Sequence, residues 1–303
     1  MKIAIIGLGS IAQKAYLPLF AAMQDKHSFV LSSRSIDKAE QIRSRYNFAG
    51  AVAGVDALIA SGAKAAFIHS ATDSHFAICK QLLEAGLHVF VDKPISETLA
   101  EVATLQKLAA ANGLLLMAGF NRRFAPKIQE LKAVADKSMI FVAKNRVNTQ
   151  QAAAFALYDN FIHPLDTALY LADDEIESYS SKLICNDGCL SRVALRLDTA
   201  TATIIVSMNM QAGANNETVT VHSPSGSYTV ENLVTLTKLS PSGTNIDTGS
   251  DWATTLEKRG FAPMVQCFLE AVAIANTDYD KAIRHCRQEK VYQSHELISL
   301  HVS

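Results

Sequence analysis

Three short stretches of the chain carry side chains whose types and spacing suit chemistry. In HVFVDKPIS (88–96) an apolar run ends in Asp92, Lys93 and Pro94. An ammonium at the carboxyl end of a buried strand stands where open α/β sheets bind ligands, and the proline restricts the backbone beside it. In LYDNFIHPLD (157–166) Asp159 and His163 lie four apart, with Asp166 three residues further on. Four residues put two side chains on one helix face, and a histidine beside a carboxylate is a proton-transfer group tuned near neutral pH. Pro164 disfavours helical geometry at His163, so the expectation is convergence across a loop-to-helix junction. In IIGLGSIAQ (5–13) Gly7, Gly9 and Ala12 form a GxGxxA frame between an apolar run and a helical pattern. The first glycine makes the tight turn, the second admits a pyrophosphate to the backbone, and the small third residue lets helix pack on strand. The helix start, with Ser10 and Ile11, offers oriented N–H groups to the anion.

The elements that position these residues fall into two patterns. Up to about residue 119, short continuous apolar runs (2–6, 29–33, 65–69, 88–91, 114–118) alternate with helix-period segments. The helices are expected to start near Ile11, Asp37, Ser74 and Ser96, the third burying Phe76, Cys79 and Leu83 before Gly86 and the fourth closing at Gly113. Continuous apolar strands separated by helices predict a parallel sheet covered on both faces, a doubly wound α/β domain. After GFNRRF (119–124) the pattern changes to alternation, as in MIFVAKNRV, RVALRLD, IIVSMNM and TVTVHS, with turn signals at SPSGS and SPSG. Alternation predicts a largely antiparallel sheet with one buried face. Helical stretches at 160–173 and from Pro263 complete an α+β second domain over 120–303, and the C-terminal helices are candidates to pack back on the first.

The second strand of a dinucleotide fold ends in an acid when the ribose 2′-hydroxyl is to be bound. This chain gives Ser32, Ser33, Arg34 and Ser35 instead, and a guanidinium among hydroxyls suits a 2′-phosphate. NADP is therefore expected in preference to NAD. The competing structural readings are a solvated Arg34, a solvated Lys93, and Asp159 as a cap over a packed His163.

Bulk composition narrows the partners. Of 303 residues 49% are hydrophobic and 19% charged, and the formal net charge is −1. No basic excess exists to meet a nucleic-acid backbone, so nucleic acid is not an expected partner. The five cysteines are scattered without a CxxC pair, and Cys185 and Cys189 lack a second pair to complete a metal site. Reduced thiols, no signal pattern and no apolar run near ~18 residues point to a cytoplasmic protein with no membrane partner.

Together GLGSIAQ, ATDSHFAICKQLLEAGLHVFVDKPIS, GFNRRF, HPLDTALY, TLEKRGF and the Asp159-x-x-x-His163 segment resemble the glucose–fructose oxidoreductase/inositol dehydrogenase (Gfo/Idh/MocA) family, most closely its MviM-like members. The resemblance implies an N-terminal Rossmann domain for NAD(P) and a C-terminal α+β domain with an open sheet that covers the nicotinamide. It implies that Lys93, Asp159 and His163 are the catalytic residues, with Asp92 in the place of the family's more usual Glu. Asn121 and Arg122 then flank the nicotinamide, and Ser70, Thr72, His75, Asp92, Lys93 and Pro94 join the cofactor-binding set. The implied activity is hydride transfer between NAD(P) and a sugar, sugar acid or cyclitol. Either Lys93 or His163 carries the proton on sequence alone. A silent NAD(P)-binding sensor of the same fold is the alternative, and an NAD-dependent glycosidase a lesser one. The alternating second-domain strands have few helices to cover them, and relatives commonly pair through this domain, so a homo-oligomer, most simply a dimer, is expected.

Overall fold

The computed structural model describes residues 1–301. Along the chain the first elements are β1 (Lys2–Ile6), α1 (Leu17–Ala21), β2 (Ser28–Ser33), α2 (Ile36–Tyr46), β3 (Gly50–Ala53) and α3 (Gly54–Ala60). Then come β4 (Ala65–Ile68), α4 (His75–Glu84), β5 (His88–Val91), α5 (Leu99–Ala111), β6 (Leu116–Ala118) and α6 (Pro126–Lys132). They are followed by β7 (Met139–Val147), α7 (Ala153–Ala156), α8 (Ile162–Leu171), β8 (Ser178–Asn186), β9 (Cys189–Asp198) and β10 (Thr203–Ala212). The hairpin strands β11 (Asn216–Ser223), β12 (Gly226–Glu231), β13 (Thr235–Ser240) and β14 (Gly243–Asp247) precede α9 (Thr255–Lys258), α10 (Phe261–Ala275), α11 (Tyr279–His285) and α12 (Val291–Ser299).

These elements form two compact units, one of residues 1–119 with 264–288, the other of residues 120–263 with 289–303. In the first unit six parallel strands run in the order β3-β2-β1-β4-β5-β6, the two-halved order of dinucleotide-binding folds. All four residues of β4 are buried, as the continuous apolar run requires. An aromatic cluster fills one side of this sheet: Phe20, Phe67, Phe90 and Phe268 lie with ring centroids 4.8–5.7 Å apart, so α10 completes the core laid down by the N-terminal strands.

The second unit holds an eight-stranded sheet, β14-β13-β12-β11-β7-β10-β9-β8, antiparallel except for the β7–β10 pair. Its alternation is clean: Ile140 and Val142 of β7, Val219 and Val221 of β11, and Ile204 and Val206 of β10 are buried on one face. The helix α8 packs on β7 and β10, and α6 on β12. SPSGS and SPSG do make hairpin turns, between β11 and β12 and between β13 and β14.

Several local expectations are corrected. Helix α5 starts at Leu99 rather than Ser96, because the Ser96 hydroxyl accepts the Thr98 N–H at 3.0 Å and donates to Glu101, closing a turn ahead of the helix. Ser74 occupies the cap position of α4, yet its hydroxyl turns to Ser70 Oγ and the Ala71 carbonyl. Phe76 is half-buried, and Leu82 takes its place on the buried face beside Cys79 and Leu83. No loop-to-helix junction separates Asp159 from His163: helical backbone runs from Ala153 to Leu171 and widens into a π turn over Leu157–Phe161.

The second unit is tied by an interior ion pair. Arg123 Nε and Nη2 donate to Asp166 at 2.9 and 2.8 Å, both side chains being at most 1% exposed, and Nη1 donates to the Glu289 carbonyl at 2.8 Å. Breaking such a pair leaves a buried charge uncompensated, so Asp166→Ala should lower unfolding free energy by about 3–5 kcal/mol. Replacing both partners, as Arg123→Met with Asp166→Leu, should recover much of that loss. Urea unfolding of the three variants gives both numbers, and a double variant no more stable than the single one would contradict the assignment.

Candidate functional site

In the first unit the turn after β1 is shaped by contact with β4. Gly7 has φ +86°, and a Cβ there would stand 2.4 Å from the Ser70 nitrogen, so any side chain would push the two strand ends apart. Gly9 differs: a Cβ built on it meets nothing within 4 Å, because it faces open space. That space is a cavity of about 540 Å³ along the carboxyl edge of the sheet, lined among others by Gly7, Gly9, Ser33, Arg34, Lys38 and Ser70. Ser10 and Ile11 are exposed at the start of the following helical segment, and Ala12 is fully buried beneath it, as the small-residue requirement demands.

The exit of β2 carries Ser33 and the exposed Arg34, with no carboxylate. Lys38 also lines the cavity, a second cation not picked out from sequence because it stands in the first turn of α2 rather than at the strand exit where an acid is expected. Thr72 opens a 3₁₀ turn and is not among the residues lining the cavity. His75 is buried, with Nδ1 2.9 Å from the Pro94 carbonyl and Nε2 3.1 Å from the Ser70 carbonyl. Its ring therefore braces the Lys93–Pro94 turn, whose peptide is cis, against the β4 exit.

Asp92 is likewise turned inward. It accepts hydrogen bonds from Tyr16 Oη at 2.6 Å and from His69 Nδ1 at 2.9 Å, and the Tyr16 and His69 rings stack at 3.9 Å. Burial pushes the Asp92 carboxyl up, but His69 and Tyr16 outweigh it and hold the group below the ordinary carboxylate range. Burial and the neighbouring carboxylate raise the Tyr16 phenol well above its ordinary value. The carboxylate is thus ionised and fully occupied, and it anchors the half-buried Lys93 next in sequence. His69, which lines the cavity, keeps Nε2 buried without a hydrogen-bond partner. Neither Tyr16 nor His69 was picked out from sequence; both lie in segments that read as core.

In the second unit the residues from GFNRRF divide their partners. Asn121 Nδ2 donates to the Arg259 carbonyl at 2.7 Å. Arg122 makes a two-pronged contact with Glu217 of β11, Nη2 donating to Oε2 at 2.7 Å and Nε to Oε1 at 2.5 Å. Burial pushes Glu217 up, and Arg122 with help from Lys144 and Arg259 overcomes it, leaving the carboxyl below its ordinary range. Arg122 lines a cavity of about 210 Å³ in this unit together with Lys144, Arg146 and Arg259.

Asp159 and His163 follow each other around the π turn into α8. Single π turns recur at functional sites because they re-aim side chains without ending a helix. Asp159 accepts from Asn160 Nδ2 at 3.2 Å, His163 lies edge-on to Phe120 at 6.5 Å, and its carbonyl accepts from Thr167 Oγ1 at 2.9 Å. Asp166, three residues beyond His163, belongs instead to Arg123.

Comparison with known proteins agrees with this fold. Residues 1–120 match the family described as an oxidoreductase family with an NAD-binding Rossmann fold, GFO_IDH_MocA, and residues 126–239 match the YceM-like C-terminal domain. The chain is 36% identical to "Putative oxidoreductase YceM" of Salmonella typhimurium, over 90% of this chain and 89% of that one. A crystal structure of the dehydrogenase MviM from Clostridium difficile superposes with a TM-score of 0.86 at 31% identity, covering 97% of this chain and 99% of that one. A Gfo/Idh/MocA family oxidoreductase from Vibrio cholerae superposes at 0.89 with 27% identity, over 100% and 98%. No helix among the described residues is long and apolar enough to cross a membrane. The chain belongs to the Gfo/Idh/MocA family of oxidoreductases with an NAD-binding Rossmann fold, and within it to the MviM-like proteins.

Proposed function

We propose that the protein is an NADP(H)-dependent oxidoreductase that interconverts an alcohol and a carbonyl on a polyhydroxylated small molecule. The observation that carries the cofactor half is the cavity over Gly7 and Gly9, which ends at Ser33, Arg34 and Lys38 where an NAD site would have an acid. Gly7 and Gly9 would admit the pyrophosphate, and Arg34 with Lys38 would hold a 2′-phosphate. Such a cofactor supplies hydride transfer at its nicotinamide ring. The substrate half is supported by resemblance to named dehydrogenases: myo-inositol dehydrogenase Hyg17 of Streptomyces leeuwenhoekii, 30% identical over 133 residues, and UDP-N-acetylglucosamine 3-dehydrogenase of Acidithiobacillus ferrooxidans, 29% over 188.

In this reading Lys93 donates a hydrogen bond to the reacting oxygen and stabilises the negative charge that develops there. His163, oriented by Asp159, takes the hydroxyl proton in oxidation and returns it in reduction. Asp92 acts on neither group directly; bound to Tyr16 and His69, it fixes the strand end from which Lys93 departs. The protein is further proposed to self-associate through the second unit, whose sheet presents Met139, Phe141 and Ile205, each half-buried, on the face away from its buried core residues. Light scattering at micromolar concentration should return at least twice the chain mass, and a monomer would refute that assembly.

The cofactor assignment predicts tighter binding of NADP(H) than of NAD(H) in calorimetric titrations. Arg34→Ala should remove about 1.5–3 kcal/mol of that preference, the range of a charge-assisted contact, and Lys38→Ala should erode it further. Preference of the native protein for NAD(H) would overturn it. The chemical assignment is tested with a panel of sugars, sugar acids and polyols followed by nicotinamide absorbance. Lys93→Met and His163→Asn should each cut turnover by at least ~10²-fold while cofactor affinity stays within a few-fold. The double variant should lose far less than the product of the two, since both groups serve one transition state. Gly9→Val should instead abolish cofactor binding. No turnover on any member of the panel, with cofactor bound normally, would favour a sensor.

A further inference from the structure

The π turn over Leu157–Phe161 leads directly to Pro164, and that proline leaves a fault in the helix. A proline nitrogen carries no hydrogen, so the carbonyl four residues back, that of Asn160, receives no helical N–H from position 164. Lys144 Nζ donates to this carbonyl at 3.3 Å and to Asn160 Oδ1 at 3.2 Å. Both residues are buried, at 8% and 7% exposure.

Register aims the lysine there. Lys144 continues the face of β7 that carries buried Ile140 and Val142, and α8 packs on this strand. Opposite it on β11 stands Glu217, whose carboxylate feels the ammonium as well as Arg122. An interior ammonium is tolerated where a carboxylate and oxygen acceptors surround it in this way.

The Asn160 amide carries the effect to the proposed site. An amide has an acceptor end and a donor end, whereas an ammonium has donors alone. With Oδ1 turned to Lys144, Nδ2 faces the other way, and it donates to Asp159 Oδ2 at 3.2 Å and to Gln151 Oε1 at 2.9 Å. Turned over, the amide would set Oδ1 against the Asp159 carboxylate, acceptor against acceptor. A cation on the sheet thus decides which end of the amide meets Asp159.

We infer that Lys144 and Asn160 are positioning residues: Lys144 sets the Asn160 amide, and the amide holds the Asp159 carboxylate that orients His163. The inference rests on the oxidoreductase reading for the roles of Asp159 and His163, while the hold on the amide stands or falls by itself. A lysine that merely patches the carbonyl ahead of Pro164 is the competing account, and the two part at Asn160→Asp. An aspartate of nearly the same size still accepts from Lys144 and keeps the patch, but its carboxylate has nothing to donate to Asp159.

Two measurements test it. On the substrate found in the panel of sugars, sugar acids and polyols, Lys144→Met and Asn160→Asp should each lower kcat at least about tenfold, the scale of a displaced catalytic group, with KM and NADP+ affinity within a few-fold. Lys144→Arg, which keeps the donors, should retain more turnover than Lys144→Met. Because Lys144 acts through the amide, adding Lys144→Met to Asn160→Ala should cost little beyond Asn160→Ala alone. Circular dichroism reports that each variant is folded. Native turnover in Asn160→Asp, or losses in Lys144→Met and Asn160→Ala that multiply, would overturn the inference. The second measurement needs no substrate. In proton–nitrogen correlation spectra the Asn160 Nδ2 protons, identified by their absence from Asn160→Asp, should move upfield in Lys144→Met as they leave the Asp159 carboxylate. Unmoved resonances would likewise overturn it. Resonances that move, with no turnover on any member of the panel, would uphold the hold on Asp159 and defeat the oxidoreductase reading instead.

Discussion

The close approach of Gly7 to the backbone at His69 and Ser70 is the constraint from which the first unit's site follows. With φ +86° and no room for a Cβ, this turn lets the ends of β1 and β4 meet, which opens the cavity on one side and presses His69 inward on the other. His69 then reaches Asp92 at the end of β5, and Tyr16, from the π turn after the glycine loop, closes the triangle. Two strand ends and the helical turn after the glycine loop are thereby locked by one carboxylate. Because that carboxylate is ionised and bonded on both oxygens, it holds the residue after it, Lys93, on a rigid strand end. A glutamate here would reach one methylene further and would need a different pair of donors, so Asp92, His69 and Tyr16 make sense only as a set.

The second unit solves a different problem with two adjacent arginines. A 3₁₀ turn over Asn121–Phe124 rotates successive side chains by about 120°. Arg122 and Arg123 consequently leave the backbone in different directions, one to Glu217 on the sheet and the other to Asp166 on α8. Each pair takes charges out of water, which is costly unless both oxygens and the guanidinium fork are matched, as they are here. The Asp166 pair is wholly interior and joins α8 to the turn. The Glu217 pair borders a cavity. Two neighbours of one residue type thus divide into a wholly interior and a cavity-lining role.

Much of this was legible in the sequence, and the boundary of legibility is physical. Continuous apolar runs announced the parallel sheet, alternation announced the second sheet, and the turn dipeptides announced its hairpins. The glycine frame and the missing acid after β2 located the cavity and the character of its far end. Local signals could not show long-range partners. Asp166 stands three residues from His163, an invitation to pair them, yet a guanidinium 43 residues earlier claims it. Ser96 and Ser74 are good cap residues by type, but nearby hydroxyls and carboxylates compete for their oxygens. The parallel β7–β10 pair was unreadable because parallel and antiparallel neighbours alternate alike when one face is buried.

The same limit applies to charge. A formal net charge of −1 shows no overall basic excess, and that sum is the relevant quantity for binding that adds up over many backbone contacts. It has no bearing on a cavity of about 210 Å³, where the potential is set by a handful of groups and by how little water screens them. Arg122, Lys144 with Arg146, and Arg259 come from three separate segments, and only folding gathers them around one carboxylate. Composition averages over the chain, whereas a low-dielectric pocket weights its nearest charges most heavily. A nearly neutral protein can therefore gather four cations and one carboxylate around a single cavity, and that arrangement belongs to the register of two strands and the placing of one loop.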